Sequence, residues 1–166
     1  MARALIFCGF IAALACQRPE EGKTAPQLTA VEVQERLIEQ NRAVLQQERA
    51  FISRFVDSTG WPFQPAGSGA LEWKVQSGSA ALVKEQELLR INYRLCGLRG
   101  EEFGAGIQEV RVLRDAKAVW GLQYALARAR HGDSLLLLLP AHLGHGLAGD
   151  GEVPPMSPLL YYLRVL

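Results

Sequence analysis

At 166 residues the chain is long enough for one domain with a real core and an appendage. Its composition, 49% hydrophobic and 21% charged, is that of an ordinary globular protein. A formal charge of +1, with no basic stretch, argues against nucleic acid as the natural partner.

The chain begins "MARALIFCGFIAALAC", with Arg3 followed by an apolar run from Ala4 to Ala15. That run is too short to cross a bilayer, which needs about 20 residues. Residues 1–15 read as a secretory signal peptide with small residues before the cut. Ala13-Leu14-Ala15-Cys16 resembles the bacterial lipobox, whose cysteine is lipidated and becomes the mature N-terminus. Its usual leucine three places before the cysteine is here Ala13. Several acyl chains on Cys16 would anchor the protein stably to a membrane. Cleavage at the A-x-A of Ala13 and Ala15 gives a soluble exported protein instead. Processing removes Cys8, and lipid on Cys16 leaves Cys96 alone, so no intramolecular disulfide is expected. Cys96 is most simply a small buried side chain. Residues 16–28 form the lipidated tether, polar and carrying two prolines, and read as a flexible spacer.

An N-terminal helical segment is expected over residues 29–66. From Thr29 to about Asp57, apolar residues recur at spacings near three, four and seven, the mark of a one-sided helix. Thr29 and Glu32 have capping-box spacing. "STGWPFQPAGSG" stops the helix through Gly60 and Pro62. The helix packs on its own domain or pairs with a second copy as a homodimer; the residues leave both open.

Strand signals then follow in "ALEWKVQSG", "ELLRINYRLCGL" and "IQEVRVL". "VWGLQYALARA" reads as a short helix with Leu122, Ala125, Leu126 and Ala129 on one face, stopped by Gly132. "SLLLLLP" has the length of a central strand, and "PLLYYLRVL" is the last. Five strands around one helix predict an α+β fold: a curled antiparallel five-stranded sheet wrapped over one short helix, preceded by the N-terminal helix. Trp61, Trp73 and Trp120 are expected to be packing residues rather than a stacking platform. In "PAHLGHGLAGDGEVPP" the glycines form no phosphate loop. Pro154-Pro155 before the last strand is common turn chemistry by itself.

Ordered landmarks carry a resemblance over residues 67–166. Tyr93 in "INYRLCGL" precedes Phe103 in "LRGEEF" by ten residues, and "AVWGLQYALARARHGD", "PAHLGHG" and "GEVPPMSPLLYYLRVL" follow. In this order and spacing they resemble the FKBP-type peptidyl-prolyl cis-trans isomerase domain. The leader, tether and helix resemble the lipoprotein branch of that family in Gram-negative, Bacteroidetes-like bacteria. The resemblance implies an isomerase assisting the folding of exported proteins. Its partners would be proline-containing polypeptides, with a membrane reached through lipid on Cys16 and the protein held in the cell envelope. The alternative is a catalytically weak chaperone or assembly module.

Carried over position by position, Tyr93 and Phe103 line one side of a proline pocket. Val119 lies at its floor and offers its N–H to a substrate carbonyl. Leu122 takes the place of the tryptophan under the proline ring, and His145 that of a hydroxyl-donating tyrosine. Val153 lies in the overhanging loop, where the resemblance makes Pro154-Pro155 part of a pocket rim. Tyr161 holds the usual phenylalanine position on the last strand. Gly104 stands where an aspartate is common, and "IQEVRV" lacks the family's phenylalanines. These departures imply a weakened pocket. No cofactor is implied. His142 and His145 have an i,i+3 spacing but no carboxylate or cysteine in a fitting pattern, so no metal is expected.

Overall fold

The computed structural model describes residues 29–78 and 81–166. The expected signal peptide, Cys16 and the tether to residue 28 lie outside the described residues. The described residues fall into two units, divided between Ile38 and Glu39.

Helix α1 spans Ala30–Thr59 and crosses that division. In the first unit the capping box forms as its spacing requires. Thr29 N–H donates to Glu32 Oε2 at 2.7 Å, and Glu32 N–H donates back to Thr29 Oγ1 at 3.3 Å. The bond from Thr29 N–H, with one of 2.8 Å from the Thr29 hydroxyl to the same Oε2, holds the Glu32 carboxyl below its ordinary pKa.

The second unit carries the sheet. Its strands are β1 (Gln64–Gly67), β2 (Ala70–Gln76), β3 (Leu88–Gly97), β4 (Glu102–Arg111), β5 (Ser134–Leu139) and β6 (Leu159–Val165). Helix α2 is Trp120–Leu126, and a 3-10 turn spans Ala141–Leu143. The strand order is β1-β2-β5-β6-β3-β4, with every pair antiparallel. The architecture is the expected curled α+β sheet over one short helix, with one correction: six strands rather than five. The extra strand is β1, inside the segment expected only to stop the helix. It is an edge strand, where Pro65 withholds no hydrogen bond from a central ladder. β4 also begins earlier than expected, because Gly104, Ala105 and Gly106 show no apolar alternation to announce it.

Successive residues of a strand face opposite sides, so a continuous apolar run means both sides are covered. In β5, Leu135, Leu137 and Leu139 join the core around α2. Leu136 and Leu138 join a second cluster with Leu160, Leu98 and Ile52 of α1. Trp61 sits in that second cluster, within 6.4 Å, centroid to centroid, of the Phe55, Phe63, Trp73 and Tyr162 rings. Trp61 and Trp73 are therefore packing residues, as expected.

The α2 side is closed just as tightly. Gly121 lets α2 approach β5: a β-carbon there would collide with the Leu139 side chain. Cys96 is buried and free, and burial pushes its thiol pKa up, away from thiolate chemistry.

Candidate functional site

The concavity between sheet and α2 is set by strand register. Tyr93 on β3 lies opposite Leu163 on β6, and Leu95 opposite Tyr161. Tyr93 and Tyr161 are therefore diagonal neighbours on one face, with ring centroids 6.4 Å apart. On the other side of β3, Leu95 pairs with Gly104 but Cys96 pairs with Glu102. The register slips there by one residue and leaves Phe103 without a partner. Such a bulge re-aims a side chain. Gly97 makes room for the ring: a β-carbon on it would sit 3.2 Å from Phe103 Cε2 and Cζ.

The floor comes from α2. Val119 is its N-cap residue, in extended conformation, and its carbonyl accepts from Gln123 N–H at 3.2 Å. Leu122, 2% exposed, lies one turn in. Gln123 fixes the approach to the helix, since Nε2 donates to the Asp115 and Ala118 carbonyls, each at 2.8 Å.

The overhang comes from the loop after the 3-10 turn. Asp150 and Val153 exchange backbone hydrogen bonds of 2.9 Å each way, closing a tight turn at Gly151-Glu152. Met156 N–H donates to the Gly146 carbonyl at 2.9 Å, tying the loop's exit to its entrance. Val153 is buried by this closure while Pro154 and Pro155 stay exposed. The segment is thus both a turn and a rim.

Tyr93, Phe103, Val119, Leu122, His145, Val153 and Tyr161 all line one cavity of about 410 Å³. The structure brings every pocket residue carried over from the resemblance to the same place. It adds others. Leu95, two residues beyond Tyr93 on the same strand face, was legible from strand periodicity. Gln108 is the contribution of "IQEVRV", where an aromatic was missing. Lys117, Asp150 and Glu152 also line the cavity, and no sequence pattern announced them. Gly104 lies beside it, and a β-carbon there would sit 3.6 Å from Tyr93 Oη, in ordinary contact.

The cavity has an apolar floor of Val119 and Leu122 and charged side chains, Lys117, Asp150 and Glu152, in its lining. Burial, and then the neighbouring Tyr93, raises the Tyr161 pKa far beyond the usual phenol range. Its hydroxyl therefore keeps its proton and remains a donor. His145 Nδ1 lies 3.5 Å from the exposed Asp150 carboxylate, an orienting contact at the rim. His142 turns away, with Nε2 3.1 Å from the Ser68 carbonyl. Among the described residues, no three His, Cys, Asp or Glu side chains cluster as metal ligands would.

One expectation fails nearby. Trp120 is not a buried packing residue; it is 58% exposed and lies against Tyr124, itself 56% exposed, with centroids 5.5 Å apart and the rings tilted by 38°. The face of α2 toward the sheet is filled by Leu122, Ala125 and Leu126, which leaves positions 120 and 124 outside.

The fold is that of the FKBP-type peptidyl-prolyl cis-trans isomerases. A peptidyl-prolyl cis-trans isomerase from Pseudomonas syringae pv. tomato matches with a TM-score of 0.65 at 20% identity, over 75% of this chain and 92% of its own. FkpA from Escherichia coli matches with a TM-score of 0.64 at 18% identity, over 84% and 73%. The N-terminal domain of FKBP42 from Arabidopsis thaliana matches with 0.58 at 20% identity, over 62% and 88%. No family model matches the chain, and no curated protein does.

Proposed function

We propose that the protein is a peptidyl-prolyl cis-trans isomerase assisting the folding of exported proteins. One observation carries this reading: seven residues from separate strands, a helix and a loop line a single apolar-floored cavity. The fold shared with FKBP-type isomerases supports it.

The chemistry needs no reactive group. Rotation about an X-Pro bond faces a barrier of ~18–20 kcal/mol because it breaks amide resonance. The planar amide is the more charge-separated form, and the twisted transition state is less polar. An apolar cradle of Leu122, Val153, Phe103 and Tyr161 penalises the planar form more. The Val119 N–H and the His145 imidazole hold the flanking carbonyls while the bond turns. A differential of only ~4 kcal/mol gives about a thousandfold acceleration.

Gln108, Lys117, His145, Asp150 and Glu152 make this cavity more polar than an all-aromatic one, and Gly104 supplies no carboxylate from its own position. The enzyme is therefore a slow isomerase. In protease-coupled turnover of a proline tetrapeptide, Tyr93→Ala and Phe103→Ala each lower kcat/KM at least tenfold with unchanged circular dichroism. Unchanged rates in both would refute the site.

The same proposal places the protein in the cell envelope, lipid-anchored on Cys16 to a membrane facing the periplasm or cell surface. The support is the apolar leader ending at that cysteine. Labelled palmitate incorporates into the wild-type chain and not into Cys16→Ser; equal labelling would remove the anchor.

A further inference from the structure

The exposed aromatic pair on α2 is left unused by the chemistry above. Trp120 borders a second cavity, of about 860 Å³, together with Arg114, Gln123 and Gly144. That cavity and the proline cavity share Lys117, Ala118, Val119, His145 and Asp150. The two are therefore neighbours, with Val119 and His145 bordering both. A polypeptide seated by its proline in the first runs naturally into the second.

We propose that Trp120, backed by Tyr124, is a secondary subsite for an aromatic or large apolar side chain of the same polypeptide, one or two residues from the proline. The inference rests on the isomerase reading for the occupant of the first cavity. Reach supports it. Extended chain advances about 3.3–3.6 Å per residue, so a side chain one or two places on lies within ~7 Å of the proline. Trp120 directly follows Val119, which borders both cavities. Chemistry supports it as well. The charged residues around the second cavity are Arg114, Asp115, Lys117 and Asp150, two of each sign, so no net charge selects the substrate there. The indole face is its large apolar feature. An aromatic side chain laid on it is bound by burial and by ring-ring geometry. The tilted ring contact with Tyr124, centroids 5.5 Å apart, restricts the indole beforehand, which lowers the ordering cost of binding.

The test uses the full chain and labelled peptides that share one central proline. Their flanking residues are either alanine or phenylalanine, placed in turn on each side. Fluorescence anisotropy reads affinity, and protease-coupled turnover reads kcat/KM. The wild type is expected to favour one phenylalanine peptide about tenfold in both. Trp120→Ala brings that preference to within twofold of parity and leaves turnover of the alanine peptide unchanged. Trp120→Phe retains most of the preference. A preference absent from the wild type, or untouched in Trp120→Ala, overturns the subsite even where turnover is normal. An aromatic preference in binding that Trp120→Ala abolishes, without turnover of any peptide, upholds the subsite and rejects the isomerase. Neither binding nor turnover rejects both.

Discussion

Asp133 shows how one polar side chain holds a junction the sequence does not advertise. It is wholly buried, accepts from Gly78 N–H at 2.7 Å and Arg130 N–H at 2.8 Å, and pairs with Lys74 Nζ at 2.9 Å. Burial works to raise its pKa. The bonds from Arg130 and Gly78, with the Lys74 ammonium, outweigh burial, so the carboxyl sits below its ordinary value. A depressed carboxylate contributes stability above its unfolded pKa of about 3.9 and loses it as pH falls through the lower folded value. Asp133→Asn should cost about 3 kcal/mol at pH 7, since an amide satisfies the two N–H donors poorly and leaves Lys74 unpaired. In urea titrations the gap between the two proteins should shrink below about pH 4. A gap constant from pH 7 to pH 3 would show that charge is not what Asp133 supplies. Nothing in "HGDSLLLLL" sets this aspartate apart from an ordinary turn residue, because its partners lie up to 59 residues away.

At the scale of elements, legibility follows the range of the interaction. The capping box of Thr29 and Glu32 and the inner face of α2 are local, and both were readable from spacing alone. The displacement of Phe103 was not, because a bulge exists only relative to the partner strand. β1 was hidden in the segment where Gly60 and Pro62 read as helix stops, and its Pro65 fits a strand only once the edge position is known. Trp120 was misread because periodicity showed which residues α2 turns inward but not that a tryptophan would be left outside. The pocket residues themselves were legible only through a resemblance: no spacing rule brings Tyr93, His145 and Tyr161 together. The loop before α2 yields a prediction of its own. Gln123 Nε2 ties Asp115 and Ala118, and so sets the position from which Val119 reaches the cavity. Gln123→Leu removes both bonds at a cost of about 2 kcal/mol. Amide exchange over residues 114–119 should speed up while β5 and β6 stay protected, and KM should rise more than kcat falls. Unaltered exchange in that loop would mean the side chain does not hold it.

The sheet of the second unit is covered over one face by α2 and over part of the other by α1, and the two covers have different sources. One face closes over α2 and leaves the cavity lined by Tyr93, Val119 and His145 at its margin. The part of the other face around Leu136, Leu138 and Leu160 is covered by α1 from Glu48 onward. Ile52 is buried there, Phe51, Phe55 and Val56 are half-buried, and Glu48 accepts from Ala141 N–H at 2.6 Å. Without that stretch, Leu136, Leu138, Leu160 and the rings of Trp61 and Trp73 face water, an apolar patch of the kind that drives association. Glu48 adds a functional link, because Ala141 opens the 3-10 turn that leads into the loop bearing His145. Full burial of one such aliphatic side chain is worth about 2 kcal/mol, so losing Ile52, its half-buried neighbours and the Glu48 bond costs about 5 kcal/mol. For a sheet domain of this size that lowers Tm by roughly 20 °C. A chain beginning at residue 61 should therefore melt that much earlier than one beginning at residue 29, and should associate in light scattering at micromolar concentration. Equal melting temperatures would mean that the sheet stands without α1, and that the N-terminal helix serves something other than this fold.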